Sequence, residues 1–169
     1  ATSPSQVAHE HAKEAYDNEQ FALALHLFEQ QMATAESPAS DAYVEASYYA
    51  AMSSLALYHR DAVYRTEAFM TEFPESPLAL KAHWSLADHH YKRKNYSKAS
   101  ETFESIRVRD LSPEKRDEYR FKLGHCYFER EAYEYILGKD AMIFDVRNNR
   151  GGNISDTLID WLERKPHGI

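Results

Sequence analysis

The sequence predicts an all-α protein in which three to four helix pairs stack into a solenoid. Three observations carry that expectation. Ser-Pro dipeptides recur at Ser3-Pro4, Ser37-Pro38, Ser76-Pro77 and Ser112-Pro113, in steps of 34, 39 and 36 residues. Ser is a favoured helix N-cap and Pro fits the first helical position, so each dipeptide is a start signal. A start signal at this period marks repeated helix pairs. The chain holds only 5 Gly and 6 Pro in 169 residues, too few for a loop-rich β fold. Finally, aromatic residues reach 13%, with 12 Tyr, and such rings fill the gaps between stacked helices.

Apolar periodicity places the helices in order. Val7 to Tyr16 and Phe21 to Met32 form the first pair, turning at Asp17-Asn18-Glu19. Ala42 to Tyr58 and Ala62 to Phe73 form the second, around His59-Arg60-Asp61. The third runs from Leu78 to Tyr91, turns at Lys92 to Asn95, and continues from Tyr96 to Ile106. A fourth begins after Ser112 and reaches Phe128, with its second helix opening at Tyr133.

Aligned on their turns, the pairs fall into a common register. A small residue sits late in each first helix: Ala12, Ser53, Ala87 and Gly124. Each second helix opens with Phe21, Ala62, Tyr96 or Tyr133, and Phe28, Phe69 or Phe103 follows seven residues on. The small residue lets two helices approach and the ring fills the space beside it. A stripe of this kind at helical spacing is core, because amphipathic helices need one whatever they do.

This pattern resembles the tetratricopeptide repeat family over residues 7–137. The third unit is nearest to it, through Trp84, Leu86, Ala87, Tyr91, Tyr96, Ala99, Phe103 and Pro113. Arg65 stands where the family has Ala, so looser or shifted contacts are expected in the second unit. The segments Phe73-Pro74-Glu75-Ser76-Pro77 and Phe121 to Phe128 look similar to repeat proteins of bacterial cell envelopes, which implies a soluble periplasmic or envelope location. The resemblance implies a non-catalytic scaffold that holds a partner peptide or domain on a concave face. The residues expected there are Tyr48, Tyr49, His83, Asp88, His90, Arg120 and His125.

Residues 138–169 break the pattern. Gly138-Lys139-Asp140 stops the last helix, and Ala141 to Val146 reads as a short buried strand. Arg147 to Asn153 contains Gly151-Gly152 and reads as a tight loop, after which Ser155 caps a helix carrying Ile154, Leu158, Trp161 and Leu162 on one face. This strand-loop-helix appendage is expected to dock on the last helix pair or to assemble with another copy.

Residues 140–165 resemble the tail-specific, tricorn-like serine peptidase family. The match is the stretch from Asp145 to Asn153, which in that family lies between a buried strand and a helix. The resemblance implies that Gly151 and Gly152 are an oxyanion-loop remnant, with Arg150 replacing the family's first glycine. No accompanying nucleophile or general base is identifiable. The alternative function is therefore a fragment of such a protease carrying a helical-repeat region, incomplete as given.

Other chemistries find little footing. The net charge of −7 disfavours a general nucleic-acid partner or an anionic membrane surface. No apolar run reaches the ~18 residues that a membrane span needs. Cys126 is the sole cysteine, so an internal disulfide is excluded. The nine His show no metal-ligand spacing, and neither a metal nor a cofactor is expected.

Overall fold

The computed structural model describes residues 4–130. Seven α-helices follow one another among them: α1 (Pro4–Asp17), α2 (Phe21–Thr34), α3 (Asp41–Ala56), α4 (Ala62–Glu72), α5 (Pro77–Lys92), α6 (Tyr96–Glu104) and α7 (Pro113–Glu129). A single 3₁₀ turn, Val108–Asp110, leads into α7. The described residues are all-α, as the sequence predicts, with boundaries within a few residues of those read from periodicity. The expected strand-loop-helix, Gly151 and Gly152 lie outside the described residues.

Two of the Ser-Pro signals act as full caps. Ser76 accepts from the Leu78 N–H at 3.2 Å and Ser112 from the Lys115 N–H at 3.3 Å, with Pro77 and Pro113 at the first helical position. Pro4 opens α1. Ser37-Pro38 does not start a helix. There Ser37 closes a turn, its carbonyl accepting from the Ser40 hydroxyl at 2.8 Å, and Ser40 caps α3 by accepting from the Tyr43 N–H at 3.3 Å. A second serine three residues on offers the better-placed cap, so the start shifts to Asp41.

The three turns inside the helix pairs share one backbone design. Glu19, Tyr58 and Lys94 all adopt positive φ, at 58°, 54° and 58°. The next N–H reaches back five residues in each case: Gln20 to Ala15 at 2.9 Å, His59 to Ser54 at 3.0 Å and Asn95 to His90 at 2.9 Å. This is a left-handed helix C-terminal cap with the paired hydrogen bonds of a Schellman motif. After it, α2 and α6 begin directly, whereas α4 is preceded by an extra turn at Arg60-Asp61, where the Ala62 N–H reaches the His59 carbonyl at 3.1 Å.

That two-residue insertion corrects the register of the second unit. Counted from the left-handed residue, the equivalent of Ala12 and Ala87 is Ala51, not Ser53. Ala12, Ala51 and Ala87 are all buried. Gly124 occupies the matching place on α7 but is exposed, and a Cβ there would meet no described residue within 4 Å. The second helix expected to cover it opens at Tyr133, outside the described residues.

Apolar side chains gather in three clusters, each joining one helix pair to the first helix of the next. Phe28 is surrounded by Ala12, Ala24, Ala46 and Ala50, from α1, α2 and α3. Phe69 lies with Met52, Leu55, Ala62, Ala82 and Leu86, from α3, α4 and α5. Phe103 lies with Ala87, Ala99, Tyr119 and Cys126, from α5, α6 and α7. The three Phe are 0%, 1% and 0% exposed, so the seven-residue spacing from each helix start does mark the core. Each side of α3 and α5 serves a different cluster. Contacts accordingly run between neighbouring helices, and α1 also meets α3 and α3 meets α5.

Arg65 departs from the small-residue position, and α4 is held less closely by its neighbours than α2 or α6, as the sequence leads one to expect. The buried face of that helix is Ala62, Thr66 and Phe69, and Thr66 returns its hydroxyl to the Ala62 carbonyl at 2.8 Å. Arg65 stands beside this face and reaches Glu29 of α2 at 2.6 Å and Asp61 at 2.5 Å. Its stem covers apolar surface while its charge stays paired.

Candidate binding groove

A cavity of about 210 Å³ opens along the first helices of the three complete pairs. Two helical stripes make its long walls. Met52, Leu55 and Ala56 come from α3, at spacings of three and four that put them on one face. Trp84, Ser85, Asp88, His89 and Lys92 come from α5, again in steps of one helical turn. Tyr16 at the end of α1 and Tyr58 in the left-handed turn close the ends. Small side chains at Ala56 and Ser85 leave the space that larger neighbours would fill.

The floor is polar. Asp88 receives Lys92 at 2.7 Å and also Lys122 of α7. Burial alone would raise the Asp88 carboxyl, but these two ammonium groups outweigh it and hold the carboxyl below its usual range. Lys122 continues to Glu118 at 2.6 Å, and Glu118 takes Lys115 at 2.7 Å. The Lys115 and Lys122 ammonium groups stand 4.4 and 5.7 Å from the Trp84 ring centre, within reach of its negative face. His89 is buried beneath the Tyr58 ring, at 5.4 Å between centres. Burial, then His90 and Arg93, lower its affinity for a proton, so the imidazole is neutral near pH 7.

Of the seven residues expected to face a partner, only Asp88 lines this groove. Tyr48 is core, 7% exposed and set against Phe69 at 5.6 Å. His90 is likewise buried, because it lies at the closing turn of α5, where its carbonyl takes the Asn95 N–H. Tyr49 is half-buried among Tyr16, Phe28 and Tyr48. His83 turns toward the end of α6 and meets Ser105 Oγ at 3.2 Å. Since Ser105 donates its own proton to the Thr102 carbonyl at 2.7 Å, His83 Nδ1 is the donor in that contact. The pair is a helix-end tether rather than a nucleophile with its base. Arg120 is exposed and pairs with Asp117 on its own helix at 3.1 Å. His125 belongs to a ring cluster, with the Tyr91 hydroxyl at 2.9 Å from Nδ1 and Phe121 stacked on it.

The groove residues missed from sequence carry a signal that the corrected register makes readable. Trp84, Asp88 and Lys92 form an i, i+4, i+8 stripe beside the buried stripe Ala79, Ala82, Leu86. Tyr58 escapes detection because only the backbone of the turn brings its ring over His89 near the end of α5. Among the described residues no three His, Cys, Asp or Glu side chains gather as metal ligands would. None of the described helices is long and apolar enough to cross a membrane.

No family model, curated protein or solved structure matches the chain.

Proposed function

We propose that the chain is a protein-interaction scaffold of the tetratricopeptide type, and that the groove between α3 and α5 holds a segment of a partner protein. The observation that carries this reading is the groove itself, built in one line by first helices of successive pairs. Its volume of about 210 Å³ falls below the ~300–1,000 Å³ of small-molecule sites and suits one anchoring side chain. The identical left-handed turns support a repeated unit, and the three shared clusters support a stack in which each unit contacts its neighbours. Trp84 and Tyr58 are residue types that dominate interaction surfaces.

Selection from a random-peptide library displayed on phage tests the reading. Peptides selected on the native chain should lose at least about tenfold in affinity for Ser85→Trp, which fills the groove, while that variant keeps its melting temperature. Failure to select any peptide, or selected peptides that bind Ser85→Trp equally well, would overturn it.

A further inference from the structure

Outside the groove, the turns of the second and third pairs gather cations that the fold does not use. Arg60 lies in the turn before α4, and Arg93 and Lys94 lie in the turn before α6; all three are exposed. The carboxylates beside them are taken, Asp61 by Arg65 at 2.5 Å and Asp88 by Lys92 at 2.7 Å and by Lys122. Arg60, Arg93 and Lys94 thus have no carboxylate partner among the described residues. Tyr58 joins the two turns. Its ring is 55% exposed, 5.4 Å from the His89 ring and 5.9 Å from the Arg93 guanidinium. Two peptide units separate Tyr58 from Arg60, at most about 7 Å of backbone, so both arginines can reach a ligand held at that ring. The turn itself does not call for cations, because the same left-handed design in the first pair carries Asp17 and Glu19. Nor do helix dipoles explain them: α3 and α5 end at this edge while α4 and α6 begin at it, and the opposed partial charges offset. The surplus charge is felt nearby, since Arg93 adds to the burial that lowers the proton affinity of His89 and His90.

We infer that this turn edge binds a phosphate group, gripped by the Arg60 and Arg93 guanidinium groups beside the Tyr58 ring and neutralised further by Lys94. Arginine suits the task because its planar fork donates two parallel hydrogen bonds to phosphate oxygens. No internal ion pair has to break first, so the full charge of all three side chains is available to the ligand. The net charge of −7 opposes diffuse attraction of anions to the chain, and affinity therefore comes from these local contacts. The phosphate belongs either to a free phosphate compound or to a lipid headgroup. None of the three cations lines the groove, so the inference is independent of the scaffold reading.

Two arms test it with the full chain. One is calorimetric titration with inorganic pyrophosphate, and the other is co-sedimentation with phosphatidylcholine vesicles made with or without phosphatidylglycerol. Binding of pyrophosphate assigns the site to a free phosphate compound, and sedimentation with the anionic vesicles alone assigns it to a lipid headgroup. In the arm that binds, Arg60→Gln combined with Arg93→Gln should weaken binding at least about tenfold, because each arginine supplies charge-assisted hydrogen bonds. Lys81→Gln removes an exposed cation near the other end of α5 and should leave binding unchanged. Both variants should keep the native melting temperature, since none of these side chains is paired with a carboxylate among the described residues. Absence of binding in both arms, full binding by the double variant, or an equal loss in Lys81→Gln would overturn the inference.

Discussion

Lys122 on α7 donates to Asp88 on α5, bridging the first helices of adjacent units across 34 residues of chain. Neither side chain is open to solvent, at 15% and 19% exposure. Burial would weaken the Lys122 charge, but Asp88 and Glu118 outweigh it and raise its hold on the proton. An exposed pair contributes below about 1 kcal/mol, and breaking a fully buried one costs about 3–5. This pair lies between. Lys122→Met should therefore destabilise the fold by about 1–3 kcal/mol in urea denaturation. An unchanged midpoint would show that α7 is held by its apolar face alone.

The left-handed turns give a second prediction. A non-Gly residue at positive φ costs about 1–2 kcal/mol, and Gly removes that strain at some loss in unfolded-state entropy. Tyr58→Gly, Glu19→Gly and Lys94→Gly should each leave stability unchanged or raise it by up to about 1 kcal/mol. Glycine placed one residue earlier, as in Arg93→Gly, should destabilise instead, because Arg93 has a negative φ, so Gly relieves no strain there and only adds freedom to the unfolded chain. Equal effects at the two positions, measured by thermal melting, would contradict the shared turn design.

Small residues late in the first helices behave according to what covers them. Ala87 is 0% exposed between α5 and α6, so Ala87→Leu should cost about 1–3 kcal/mol through overpacking. No described residue crowds Gly124, and replacing a helical Gly by Ala gains about 1 kcal/mol. Gly124→Ala should thus raise the melting temperature. The opposite order of the two effects would restore Gly124 to a packed interface.

These two positions show how far the sequence can be read. Ala, Phe and turn residues recur with a period that depends on local chemistry, so helix starts, helix ends and the core Phe residues were all legible. The turn at His59-Arg60-Asp61 was legible too, but not its two-residue excess over the other turns, because extra polar residues leave no mark on apolar periodicity. It moved Ser53 out of register and Ala51 into it. The groove was mostly illegible for a related reason. Its walls come from α3 and α5 together, and a face shared by two helices is set by their crossing, which no single-helix pattern encodes. Tyr48 and His90 illustrate this: both sit on first helices, but on the face that turns into the core.

The hydroxyls of Ser53 and Ser54 are buried and make no hydrogen bond among the described residues. A buried polar group without a partner costs about 1–3 kcal/mol, while Ala at the same place loses only the hydroxyl. Ser54→Ala should be neutral or stabilising by about 1 kcal/mol. A loss larger than that in chemical denaturation would mean that the hydroxyl is bonded, most simply to the carbonyl one turn earlier.

Three histidines set the response to acid. Burial lowers the proton affinity of His83, His89 and His90 below the ordinary imidazole value, and nearby positive groups add to the effect at the last two. The sign follows from linkage. Below the unfolded value near ~6.5, the unfolded chain takes up protons that the folded chain resists. Stability is therefore full above about pH 7.5 and falls as the pH drops through 6.5, until the folded-state values are reached. Asp88 and Glu118 act in a different window, because their carboxyls are held below the usual range and their contribution is lost only under stronger acid. Urea midpoints at pH 7.5, 6.5 and 5.5 should decrease in that order for the native chain. The decrease should be shallower for His89→Gln combined with His90→Gln, which cannot bind the extra protons in either state. A midpoint that rises on acidification, or an identical slope in the double variant, would assign the acid response to other groups.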